Sequence, residues 1–331
     1  MYTTKLRVDS VRQVFNDGHH NAFTDVCRFR ERFYLTFRSC PDGHGVFASS
    51  KILVLSSEDA SQWTEAFSFS APNRDVRDPH FLIYNETLFT YTGTWLCDPA
   101  RPGHRDINDH LGYAAWSADG VSWNGPRFLE GTYGHYIWRA AAHGNKAYLC
   151  GRRKQAFAVS DDSGDGTSLT QSAMLESEDG LVWRFRSLFT EAHGDETAFL
   201  FEEDGSILAV HRTGGTRPAQ VCRSRPPYVE WTRVDLDRYI GGPLLAKWGD
   251  RYLVAGRHRT SYDEARTAVY WLVEDRLIEA AKLPSGGDNS YPGFVALSDT
   301  QGLLSYYSSH EGSGDHNPPS NIYLAELSIS C

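Results

Sequence analysis

The chain has 331 residues, of which 40% are apolar and 13% aromatic, with 29 glycines and a formal charge of −9. That is enough apolar material for a large core. The acidic balance excludes a general nucleic-acid binder, and no apolar run reaches the roughly 18 residues of a membrane span. The opening "MYTTKLRVDS" lacks the apolar region of a secretory signal, so a cytoplasmic protein is expected.

In chain order, "TKLRVDSVRQVF" (4–15) alternates apolar and polar residues and reads as a strand with no partner nearby. Six hairpin-like segments follow, each an apolar run, a short polar turn and a second apolar run: 22–38, 80–94, 138–152, 196–212, 241–257 and 290–308. After each hairpin come a loop and a further strand such as "GYAAWSADG" (112–120). A polar heptad ending in Trp then leads into a fourth strand. The heptad is "SEDASQW" at 57–63, "SADGVSW" at 117–123 and "SEDGLVW" at 177–183, a period of sixty residues. Repeats of this length indicate a propeller or solenoid. Four strands per unit and six units predict an all-β, six-bladed β-propeller of four-stranded antiparallel blades, one domain over 1–331. The last unit lacks a strand at its C-terminal end, so 4–15 is expected to complete blade six with "NIYLAELSIS" (321–330) and close the ring. In the heptads, Asp is expected to bind backbone N–H groups, Gly to take the left-handed conformation, and Trp63, Trp123 and Trp183 to pack between blades.

Propeller geometry brings the start of each first strand and the end of each second strand to one face. Those positions hold His19, His20, Asn21, Arg77, Asp78, Tyr136, Trp138, Arg139, Asp195, Glu196 and Tyr291 at the starts. Arg38, Arg152, Arg153, Arg212, Arg257 and His310 stand at the ends. A cluster of arginines on an acidic protein suits bidentate binding of a carboxylate, sulfate or phosphate. His19, His20 and His44 fall near one another in blade one, but no spacing is that of a metal site, and neither metal nor cofactor is expected. "SDDSGDGTS" (160–168) resembles a calcium loop only in composition and reads as an inter-strand loop. "GHRDINDH" (103–110) reads as a loop narrowing the funnel. The six cysteines form no CxxC pair and read as buried thiols.

Repeated Ser-x-Asp-x-Gly-x-x-Trp-like turns on a six-bladed propeller resemble the Asp boxes of the sialidase (neuraminidase) superfamily, here one residue shorter. "HNAFTD…FR", "RDP", "GGP…AGR" and "SYPG…SYYSSHEG" resemble segments of bacterial sialidase-like, BNR-repeat glycosidases. The resemblance implies an exo-glycoside hydrolase that removes a terminal acidic sugar from a glycan, in a monomer or small homo-oligomer. Such enzymes use a Tyr nucleophile activated by Glu, an acid/base Asp, and three Arg on the substrate carboxylate. By order and blade the resemblance carries over to Tyr291, Glu196, Arg212 and Arg257. The place of the first Arg reads His19-His20-Asn21-Ala22. The loop that should hold the acid, "SCPDGHGVF" (39–47), offers Asp42 and His44, and imidazole suits general acid catalysis near neutral pH. Asp78 is the other candidate acid. Arg77 and Arg139 are candidate substitutes for the missing Arg, and Arg38, His20, Asn21 and His310 are candidate sugar contacts. Two other functions fit the same ring. One is a polysaccharide lyase, with Arg neutralising a uronate and His20, His44 or Tyr291 taking the C5 proton; the other is a non-catalytic carbohydrate-binding propeller.

Overall fold

The computed structural model describes residues 5–159, 166–259, 264–312 and 319–330. Each hairpin-and-heptad unit folds into one antiparallel four-stranded sheet, and six sheets form the ring. Blade one comprises His20–Phe29, Arg32–Cys40, Lys51–Ser57 and Thr64–Phe69. Blade two comprises Arg74–Tyr84, Thr87–Leu96, Tyr113–Ser117 and Asn124–Phe128, and blade three Tyr136–His143, Lys146–Lys154, Thr170–Ser177 and Arg184–Thr190. In blade four the strands are Thr197–Phe201, Ile207–His211, Gln220–Ser224 and Thr232–Asp235, and in blade five Gly241–Trp248, Arg251–His258, Arg266–Val273 and Arg276–Lys282. Blade six holds Asn289–Ala296, Gln301–Ser308 and Asn321–Ser330. Its outer strand is Lys5–Phe15, which pairs antiparallel with Asn321–Ser330 through Leu6 opposite Ile329 and Val11 opposite Ala325. The ring is therefore closed by its two chain ends. First strands line the centre, and those of blades one and two are buried nearly end to end, whereas fourth strands such as Asn124–Phe128 are exposed.

The heptads sit at the third-to-fourth strand turn of blades one to three, on the face opposite the strand starts. Asp59, Asp119 and Asp179 each accept two backbone N–H groups of their own turn, from residues two and three further on. Gly120 and Gly180 have φ near +79°, a conformation that costs glycine little. Their carbonyls accept the hydroxyls of Tyr34 and Tyr91 from the preceding blade. Trp183 is 2% exposed and meets Tyr91 edge-on at 5.6 Å. Trp123 stacks on Phe67 of blade one at 5.5 Å, and Trp63 packs with Leu303 and Val295 of blade six. The turns thus pin each blade to its neighbour. Blade four carries a fourth, disguised version: Ser224 Oγ donates to the Glu230 carbonyl at 2.6 Å, as Ser117 Oγ does to Ser122 at 2.7 Å, and Trp231 follows. Pro226 and Pro227 lengthen that turn and hide it from the sequence pattern.

Cys27, Cys40, Cys97, Cys150 and Cys222 are free thiols, three of them buried. Residues 160–165 of the calcium-like stretch lie outside the described residues. No described helix is long and apolar enough to cross a membrane.

Candidate active site

A bulge in the first strand aims side chains into the funnel. The pairing of first and second strands slips between Ala22 and Asp25, Arg77 and His80, Ile137 and Ala140, Gly241 and Leu244, and Ser290 and Gly293. At four of the five slips a residue takes positive φ: Phe23 (63°), Asp78 (55°), Gly242 (59°) and Tyr291 (50°). An extra residue re-aims its side chain, and the left-handed conformation of a non-glycine residue holds only where the surroundings enforce it. For Tyr291 they do: Thr24 Oγ donates to its carbonyl at 2.9 Å, and a Cβ on Gly242 would stand 2.7 Å from its ring.

These bulges surround a cavity of about 240 Å³ lined by Phe23, His44, Arg77, Asp78, Trp95, Tyr136, Arg152, Glu196, Arg212, Arg257 and Tyr291. Tyr291 O–H donates to Glu196 Oε1 at 2.8 Å. Glu196 Oε2 accepts Arg212 Nη1 at 2.7 Å and the Gly242 N–H at 3.1 Å, and the same Nη1 lies 3.2 Å from the tyrosine oxygen. Burial first, and the Glu196 charge second, push the Tyr291 phenol well above its ordinary pKa. The phenolate is therefore not stored; its proton can leave only as a reaction draws it off, and Glu196 is placed to take it.

Every arginine of the cavity is fixed from behind by a carboxylate. Arg77 Nε binds Asp75 at 2.7 Å, Arg152 Nη1 binds Asp195 at 2.8 Å, and Arg212 Nε lies 3.3 Å from Asp195. Arg257 Nη2 binds Asp288 at 2.9 Å and lies over the Tyr291 ring at 5.4 Å. Such backing orients the guanidinium forks before an anion arrives and costs no reorganisation when it does. Asp78 is the exception to the pairing of charges. Tyr136 O–H donates to its Oδ2, while its buried Oδ1 has no hydrogen-bond partner among the described residues. Burial, and then the Glu196 charge, raise its carboxyl well above the usual carboxylate range, which favours the protonated form.

Asp288 is a hub under one wall. Its carboxylate binds His20 Nε2 at 2.9 Å, His44 Nδ1 at 2.6 Å, Arg257, and the Tyr307 hydroxyl at 2.8 Å. Burial would raise its pKa; His44, His20 and Arg257 outweigh that and hold it well below the ordinary value. The ligand atoms of His20, His44 and Asp288 lie within 4.8 Å of one another. They do not suit a cation: Arg38 Nη1, which can only donate, faces His20 Nδ1 at 3.5 Å, so Nε2 carries the proton. Arg257 already supplies the positive charge.

Of the residues singled out from sequence, Tyr291, Glu196, His44, Asp78, Arg77, Arg212 and Arg257 line one cavity. Five do not. Arg38 is fully buried, held by Asp75 and by the carbonyls of Gly43 and Gly45, which cover it. Arg139 lies beneath the cavity on the ring axis, where it donates to the Pro243 carbonyl at 2.9 Å and to the Pro292 carbonyl, 3.6 Å from Asp25. His20 is buried behind His44, and Asn21 fastens the turn at Asp17. His310 turns outward to Ser308 and packs against Tyr323, the rings tilted by 43° at 5.2 Å. Asp42 accepts the Ser49 hydroxyl and is exposed. Residues not singled out from sequence as site residues are Asp288, Phe23, Trp95 and Tyr307.

No family model matches the sequence, and no curated relative matches it. Solved structures do match. A protein of unknown function from Dyadobacter fermentans superposes with TM-score 0.76 at 19% identity, over 98% of this chain and 99% of that one. Trypanosoma rangeli sialidase in complex with sialic acid superposes with TM-score 0.66 at 14% identity, over 99% of this chain and 58% of the other. The NanB sialidase of Streptococcus pneumoniae, as its K499G mutant, gives TM-score 0.71 at 11% identity, over 96% and 71%. The chain thus spans about three-fifths of the trypanosomal enzyme. At these identities the likeness is one of fold: this chain has the six-bladed propeller that sialidases share.

Proposed function

We propose that the protein is an exo-glycoside hydrolase acting on a terminal acidic sugar by a sialidase-like mechanism. The observation that carries this reading is the Tyr291–Glu196–Arg212 cluster, with the phenol 2.8 Å from the carboxylate and both facing an arginine-lined cavity. The sugar carboxylate is bound by Arg257 and Arg212, with Arg77 or Arg152 at the place of the missing third arginine. A carboxylate on the anomeric carbon repels an anionic nucleophile, which favours a neutral phenol that loses its proton during attack. In the first step the Tyr291 oxygen bonds to the anomeric carbon and its proton passes to Glu196. The bond to the leaving oxygen breaks as Asp78 protonates it. In the second step water, deprotonated by Asp78, releases the sugar, and Glu196 returns the proton to the phenol. Asp78 is preferred to His44 as the acid because its Oδ1 is unpartnered among the described residues and burial favours its protonated form, whereas His44 is tied to Asp288.

The test is a panel of fluorogenic glycosides of acidic sugars, read both for released fluorophore and for the ultraviolet absorbance of an unsaturated product. Turnover of one donor without the unsaturated product, reduced about 10²-fold or more by Tyr291→Phe at an unchanged melting temperature, supports the reading. A fluorinated donor that slows the second step should add the mass of one sugar to the wild type and not to Tyr291→Phe. An unsaturated product would mean β-elimination instead, and a fully active Tyr291→Phe would remove the mechanism.

A further inference from the structure

Beside the cavity, blade three holds two exposed aromatic rings in a fixed arrangement. Tyr133 is 56% exposed and Phe157 53% exposed, and their rings lie 6.2 Å apart at 25°. The arrangement is built rather than left over. Ala156 and Phe157 both take positive φ, 48° and 57°, a conformation that non-glycine residues hold only when neighbours enforce it. Asn108 braces this turn from outside: its amide donates to the carbonyls of Phe157 and Ala158 at 3.2 Å each. The Phe157 ring lies on Gly134, where a Cβ would stand 2.5 Å from it. Gly134 N–H in turn binds the His110 carbonyl at 2.9 Å, and the His110 ring packs on Trp95 and Tyr136, two walls of the cavity.

We infer that Tyr133 and Phe157 form a stacking platform for a neutral pyranose ring on the leaving-group side of the glycan. Flat, exposed rings bind the C–H face of a sugar, and holding them in place beforehand lowers the entropic cost of binding. Position selects this occupant. Tyr133 is three residues from Tyr136, hence within roughly 11 Å of a cavity wall along the backbone, and both rings stand on the loops of the funnel face. The cavity, at about 240 Å³, is below the roughly 300–1,000 Å³ of pockets for drug-sized ligands, so it takes one sugar and the rest of the chain must lie outside.

This inference takes the cavity as the terminal-sugar site of the proposed hydrolase, and its test separates the two claims. With methyl sialoside and sialyllactose as probes, Tyr133→Ala and Phe157→Ala should raise KM for sialyllactose roughly 3- to 10-fold each. The methyl glycoside, whose leaving group places no ring on the platform, should be unaffected, and Phe157→Trp should retain the wild-type value. Equal effects on both substrates, or none on sialyllactose, would overturn the platform. If neither probe is turned over, saturation-transfer NMR with lactose addresses the platform alone. Transfer to lactose in the wild type that is lost in the double alanine variant supports it; no transfer, or transfer that survives in the variant, overturns it.

Discussion

Arg139 offers the sharpest test of how the site is held. Replacing it with Met keeps the stem and removes the guanidinium. The loss is specific: an N–H bond to the Pro243 carbonyl at 2.9 Å, another to the Pro292 carbonyl, and the cation 3.6 Å from Asp25. Asp25 keeps backbone donors from Phe81 at 2.9 Å and Val26 at 3.1 Å, but among the described residues no other Arg or Lys pairs with it. His80, 3.6 Å away, has its pKa pulled down to about 4 by burial and then by Arg139. Breaking a buried pair by removing one partner costs about 3–5 kcal/mol. At about 2.1 cal/mol/K per residue, 331 residues give an unfolding entropy of about 0.7 kcal/mol/K, so a loss of about 4 kcal/mol lowers Tm by about 6 °C. Calorimetry of Arg139→Met and of Arg139→Met/Asp25→Asn measures this. The double variant should recover part of the loss, because the uncompensated charge is gone. Since Pro292 follows Tyr291, kcat should fall even well below Tm. A Tm within about 1 °C of wild type, or strictly additive losses, would refute the reasoning.

Two further outcomes follow from the same geometry. Asp78 has a raised folded-state pKa, so the fold favours its protonated form, and its ionisation costs stability as pH climbs above the usual carboxylate range. Asp78→Asn should therefore gain Tm relative to wild type at pH 8 and lose that gain at pH 4, while turnover of substrates with poor leaving groups falls; a constant Tm difference across pH would contradict this. Trp183→Ala truncates a buried aromatic at an inter-blade contact and should cost about 3–5 kcal/mol in denaturant unfolding, with activity per folded molecule retained; loss of turnover at unchanged stability would contradict the structural role.

The repeat made the fold legible because hairpins and heptads are local signals, and one unpaired N-terminal strand sufficed to place the closure. Tyr291, Glu196, Arg212 and Arg257 were legible because blade order fixes which strand ends meet. What sequence could not decide was which arginine faces the cavity. Arg38 and Arg257 hold the same register, opposite Ala22 and Gly241, each one residue before a bulge. Arg257 reaches the cavity, whereas Arg38 is roofed by the carbonyls of Gly43 and Gly45 and drawn to Asp75. That difference lies in a loop's path and not in strand alternation. Arg139 lies within a first-strand bulge, and the slip between Ile137 and Ala140 sends it to the axis; a one-residue slip changes the face a side chain serves. Asp288 was missed because "SGGD" reads as a connection rather than as a strand start.

The site is a property of the closed ring and of no single blade. Tyr291 comes from blade six and its hydrogen-bond acceptor Glu196 precedes the first strand of blade four. Its left-handed backbone is held by Thr24 of blade one, and the carbonyl of the next residue by Arg139 of blade three. Blade five contributes Gly242, where no Cβ could fit against the tyrosine ring, and whose N–H orients the glutamate. Asp78 of blade two closes the circle beside Tyr136. Each blade's strained or buried element is thus stabilised by contacts from a different blade. The strand Lys5–Phe15, far from the funnel on the outer edge of blade six, is in this sense part of the site: it seals the sheet that carries Tyr291, and the opposing contacts hold only while that sheet stays in the ring.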